Sequence, residues 1–271
     1  MNFVNARVKM LTILRFACIS LLASGSLSYP TTDATPGNPT PISTNQAIHR
    51  AVRFLVKLYD PAVQLLPEYQ GSKVYWLFHD NYLAQKVLAK DRSALAKRIG
   101  LTLQLYRKSY DGAINVLFDP NLRLPPFHAT RLILIARRDG ALIKNEQNTP
   151  KLINNWRDYT DLLFLAAISN VKRNRAFAME CYHQALAMWD GMGFMDAPAM
   201  QLYRYSIFKL ALALIAARQL QARLPIREKI LHQLIALQDR SGGFVTDYNK
   251  DDKPIGVPNV ETTCLAILAL R

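Results

Sequence analysis

An all-α domain of stacked helical hairpins, interrupted by one β-hairpin, is the architecture expected of this chain. Three observations carry the expectation. Of the 271 residues, 50% are hydrophobic and only 20% are charged, which is too apolar for a disordered chain. Apolar residues recur at helical spacing in about eight stretches separated by turn residues. Helix, short turn and helix also succeed one another at intervals of roughly 40–50 residues, as in repeat architectures, although no residue pattern repeats strictly.

The elements follow in order. Arg7, Lys9 and Arg15 precede an apolar run from Phe16 to Leu27. At about 12 residues the run is short of the ~20 that span a bilayer. With small residues at Ser26 and Ser28, residues 1–28 read as a signal peptide cut near Tyr29, so a secreted protein is expected. Its removal takes three positive charges and no negative one from the net +14. Residues 29–42 are a Pro- and Thr-rich spacer, and residues 43–271 are expected to form a single domain.

Ser43 or Thr44 caps a first helix ending at Asp60-Pro61. Val74–Leu88 reads as a second helix, and a third runs from Asp91 or Ser93 to Tyr106. The β excursion falls near 114–146. Ile114–Phe118 is strand-like, and Arg138-Asp139-Gly140 is a hairpin turn between apolar runs. Asn154 or Asn155 opens a helix to Ser169, and Asn174 opens another to Met188, closed by Gly191 and Gly193. Met200–Arg223 reads as the longest and most apolar helix, buried on most sides. Helices from Pro225 to Gln238 and from Val260 to Leu270 complete the chain. Cys181 and Cys264 sit in apolar helical stretches, either as two buried thiols or as one disulfide.

The tail carries a family likeness. Gln238-x3-Gly242-Gly243-Phe244 followed by Glu261-Thr262-Thr263 resembles a hairpin of the α/α toroids found in terpenoid cyclases and protein prenyltransferase β-subunits. Tyr75-Trp76-x3-Asp80-Asn81 and Asn155-Trp156-x2-Tyr159-x-Asp161 are similar to inner helices of six-hairpin glycosidase-like proteins. The resemblance implies an α/α toroid, smaller or incomplete because eight or nine helices fall short of twelve. It covers most of residues 43–271 in architecture and about 40 residues in motif.

Candidate chemistry follows from residue types. Carbohydrate recognition needs flat rings to stack on and carboxylate or amide groups for hydroxyls. Tyr75, Trp76, Asn81, Trp156, Tyr159, Trp189 and Tyr205 are the candidate substrate-binding residues. On a helix Trp76, His79 and Asp80 would share a face. Asp80, Asp158, Asp161, Asp247 and Glu261 are the candidate acids of a glycosidase-like site, where two carboxylates divide acid and base roles. Helix-capping and core-packing roles account for the same residues structurally, and Tyr203, Tyr205 and Lys209 form a polar head on the most apolar helix.

Asp247–Asp252 imitates half a calcium loop but has Asp252 where the turn glycine belongs. His49, His79, His128, His183 and His232 lack ligand spacing, and no phosphate loop or Gly-x-Ser-x-Gly occurs. No cofactor or metal is therefore expected. The basic residues are dispersed, which argues against nucleic acid and leaves contact with an anionic surface. A monomer acting on or binding a glycan is the leading expectation. A non-catalytic secreted binding protein and a terpenoid-cyclase-like enzyme are the alternatives.

Overall fold

The computed structural model describes residues 42–106, 112–119 and 121–271. The expected signal peptide and nearly all of the spacer lie outside them. The fold class departs from expectation: the chain is about 50% helical with 18% strand in two small sheets, a mixed α/β protein and not an all-α toroid. Among the described residues no helix is long and apolar enough to cross a membrane.

The described residues form nine α-helices, eight of them in two layers: α1 (Thr44–Leu58), α2 (Leu83–Leu88), α3 (Ser93–Leu105), α4 (Thr160–Asn170), α5 (Arg175–Leu186), the short α6 (Ala197–Leu202) outside the layers, α7 (Ile207–Leu220), α8 (Arg227–Ala236) and α9 (Val260–Leu270). Helices α4, α7 and α9 are apolar nearly all round and almost wholly buried, as a helix with neighbours on several sides must be. Helix α7 touches both α4 and α9, and α9 touches α2. A second layer backs this row: α5 packs on α4, α8 on α7, α1 on α9 and α3 on α2. The core follows the row from Ala47 to Leu270.

Local chemistry sets several boundaries as expected. Ser43 forms a capping box with Gln46 at the start of α1. Asn174 and Asn259 accept the amides of Phe177 and Thr262 at the starts of α5 and α9. Gln238 reaches from the end of α8 to the carbonyls of Ala47 and Gly242, at 2.9 and 2.8 Å, and so ties the second-layer α1 to the C-terminal hairpin.

Other boundaries are corrected. Val74–Trp76 is strand β1, followed by a π-helix over Leu77–Tyr82, where one helix was expected. Ile114 to Leu117 lies in a 3-10 turn, not a strand. Short apolar runs do not distinguish helix from strand by periodicity alone. The Met200–Arg223 run is broken at Tyr203, which has φ 53° and is 88% exposed. Beyond it Tyr205–Ser206 forms strand β4 before α7 begins.

The first sheet has the order β1-β3-β2, with β2 (His128–Arg138) and β3 (Ala141–Leu152) joined at Asp139-Gly140. Both turn residues have positive φ, 48° and 78°, the twist that suits a two-residue hairpin. Strand β1 lies parallel to β3. The second sheet pairs β4 with β5 (Asp247–Tyr248) and β5 with β6 (Pro254–Ile255).

Candidate functional site

The first sheet and the π-helix build an accessible polar hollow. Directly opposed residues of an antiparallel pair share a face. Register sets Thr130 against Asn148 and Leu132 against Glu146. Thr130, Glu146 and Asn148 line one hollow with His79 of the π-helix that leaves β1, and the Nδ1 of His79 stands 3.4 Å from the Oε2 of Glu146. Both side chains are nearly inaccessible, at 6% and 3%. A π turn within a helix is frequent at functional sites, and this one runs directly into α2. Here it belongs to the segment that carries His79 to the sheet.

A cavity of about 180 Å³ opens above this pair, lined also by Arg123, Phe127, His128, Thr130 and Asn148. The opposite wall is the Leu122–Phe127 loop. Ser169, near the end of α4, fixes it by accepting the Leu124 amide at 2.8 Å and donating to the Leu122 carbonyl at 2.9 Å. Phe127 is backed by Trp156 at 5.3 Å between ring centres. His128 turns Nδ1 to the Thr149 carbonyl at 2.9 Å, which holds its ring at the rim. A carboxylate beside an imidazole can accept and return a proton. The amide of Asn148 and the hydroxyl of Thr130 are groups that bind hydroxyl-bearing ligands.

A second polar cluster lies inside the protein, between the starts of α4 and α7 and the second sheet. Lys209 is 1% exposed and donates to both oxygens of Asp196 at 2.7 and 2.6 Å. Asp196 also accepts the Thr160 amide at 3.0 Å. Asp247 accepts from Ser206 at 2.9 Å and pairs with Arg204 at 3.0 Å. Burial raises the Asp161 carboxyl to about 6; Lys209 works against the rise and Asp196 adds to it. Burial also raises Asp247, against the pull of Arg204, Ser206 and Lys209. A buried lysine between carboxylates is a network in which each charge depends on the others.

The expected site residues divide among these places. Trp76 is buried under the Lys144 ammonium, 5.5 Å from its ring centre, at the edge of the same sheet. Asp80 adjoins His79 in sequence but acts on Cys264, whose thiol is raised by burial and then by Asp80 and Glu261. Cys181 and Cys264 are both free and buried. Asn81 is spent on backbone, receiving the Leu66 amide and donating to the Leu66 and Trp76 carbonyls. Tyr75 donates to Asp60 at 2.8 Å, and burial together with that bond raises its hydroxyl to about 12.

Asp161 and Asp247 come together around Lys209. Asp158 does not join them: α4 begins at Thr160, so Asp158 sits in a separate 3-10 turn with Trp156 and is exposed. Tyr159 precedes α4, buried. Trp189 packs on Phe194 at 5.2 Å, and Tyr205 donates to Asp190 at 2.6 Å. These residues hold loops in place.

Glu146, Asn148, Thr130 and His128 were missed. The signal was present: extending the strict alternation of β3 beyond Ile143 puts Lys144, Glu146 and Asn148 on one face. Comparisons with protein-family models, curated proteins and solved structures give no match.

Proposed function

We propose that the protein is exported and binds a glycan, or another small polyhydroxylated molecule, in the hollow above His79 and Glu146. The observation that carries this reading is the His79–Glu146 pair at the base of a cavity whose other polar groups are amide, hydroxyl and imidazole. At about 180 Å³ the space is smaller than a drug-sized pocket and suits one sugar unit of a chain. Export is supported by the basic start and short apolar run of residues 1–28.

Binding, more than hydrolysis by two carboxylates, fits the lining. Among the described residues around the cavity Glu146 is the single carboxylate, whereas glycosidases place two across the scissile bond. A second reading, an enzyme in which His79 is the general base and Glu146 orients it, is favoured by the 3.4 Å separation of the two side chains.

Calorimetric titration of the full-length chain with a panel of neutral oligosaccharides tests the proposal. Binding by one of them, lost in Glu146→Gln and in Thr130→Val/Asn148→Leu, supports it. Absence of binding across the panel, or binding unchanged in both variants, refutes it. Turnover of the bound sugar that disappears in His79→Gln selects the second reading.

A further inference from the structure

A second concavity, between α1 and the turn before α3, is cationic. It has a volume of about 750 Å³ and is lined by Gln46, His49, Arg50, Arg53 and Val52 of α1 and by Asp91 and Arg92 before α3. His49 and Arg53 lie four residues apart on α1 and both are exposed, as is Arg92. The cations are partly fixed in place. Arg50 donates to the Asp239 carbonyl at 2.9 Å, and Arg92 to the Asp91 carbonyl at 2.8 Å. Asp91, the one acid among the described residues of the lining, is paired with Arg271. Arg53 and Arg92 therefore face the concave space as its exposed arginines, while Arg50 is held at the Asp239 turn, where its charge helps to lower the Asp239 carboxyl.

We infer that this concavity binds an acidic polysaccharide, a flexible chain bearing a carboxylate on successive sugars. Its size is several times that of the His79 cavity and suits a run of units in place of one group. Among the described residues no Phe, Tyr or Trp lines it, and these offer no platform on which nucleic-acid bases stack. Ile42, 37% exposed, is the single exposed apolar residue among the described residues of the lining, too little to enter a lipid surface. Arginine forks match carboxylates in two-point contacts. The inference does not depend on a sugar occupying the His79 cavity.

The test is titration of the full-length chain with a linear oligogalacturonate at low salt, beside inorganic phosphate, phosphatidylserine vesicles and oligothymidylate. The expected result is preferential binding of the oligogalacturonate that weakens as salt rises. Arg53→Ala/Arg92→Ala lowers its affinity on the order of tenfold or more, since each lost charge-assisted bond is worth a substantial part of a decade. Lys172→Ala/Lys250→Ala removes the same charge from exposed positions elsewhere and leaves the affinity unchanged. Four results overturn the inference: no binding, equal weakening in the two double variants, phosphate binding as tight as the oligogalacturonate, and tighter binding to vesicles or oligothymidylate.

Discussion

Asp161 stands in the first turn of α4, where helix amides favour its charge, yet it is enclosed with Asp196 and Lys209. Burial prevails and lifts its carboxyl from 3.8 to about 6. Between those values the folded protein holds a proton that the unfolded chain has released. Its contribution is therefore fully present below about pH 4 and is lost as pH rises through about 6. Asp161→Asn should remove up to about 1.4 kcal/mol per pH unit of that slope, measured by urea unfolding from pH 4 to 7. Parallel curves for the two proteins would show that Asp161 does not titrate there. Lys209→Met leaves buried carboxylates without their cation and should destabilise by about 3–5 kcal/mol. Replacing Asp196 by Asn in the same chain should restore part of the loss, as a coupled pair requires. The sequence marked Lys209 and Asp161 as polar groups in apolar helices, but not that they meet. Their positions are 48 residues apart, and the packing of α4 on α7 brings them together.

Elements were legible where a local signal fixes backbone geometry. The Ser43 and Asn174 caps and the Asp139-Gly140 turn declare themselves through hydrogen bonds or positive φ within a few residues. Gly140→Val should cost about 1–2 kcal/mol, because a β-branched residue resists φ 78°. Chemical unfolding is the check, and an unaltered midpoint would mean the turn is not of this type. Gln238→Ala removes two bonds to backbone carbonyls and should weaken the fold by about 1–2 kcal/mol. Hydrogen exchange should quicken in α1 before it does in α4. Less legible were Val74–Trp76 and Tyr205–Ser206, whose strand partners, Leu142–Lys144 and Asp247–Tyr248, lie far along the chain. Their apolar character reads equally as buried helix.

At the scale of the molecule, the helices and the β2–β3 hairpin were readable because their signals are local, and the rest of the two sheets was missed because the β1–β3 and β4–β5 pairings are not. The correction moves the candidate site. Rings and carboxylates assigned to inner helix faces, such as Trp156 and Asp158, belong to a 3-10 turn and a packing cluster. The accessible hollow arises instead where β3 meets the π-helix and places Glu146 beside His79. Histidine-selective NMR of the full-length chain tests that placement, because His79 and His128 line the hollow whereas His49, His183 and His232 do not. Saturation with an oligosaccharide that the titration selects should shift the ring signals of His79 and His128 and leave the other three in place. Shifts confined to His49, His183 or His232, or no shift at saturation, would contradict a glycan site at His79 and Glu146.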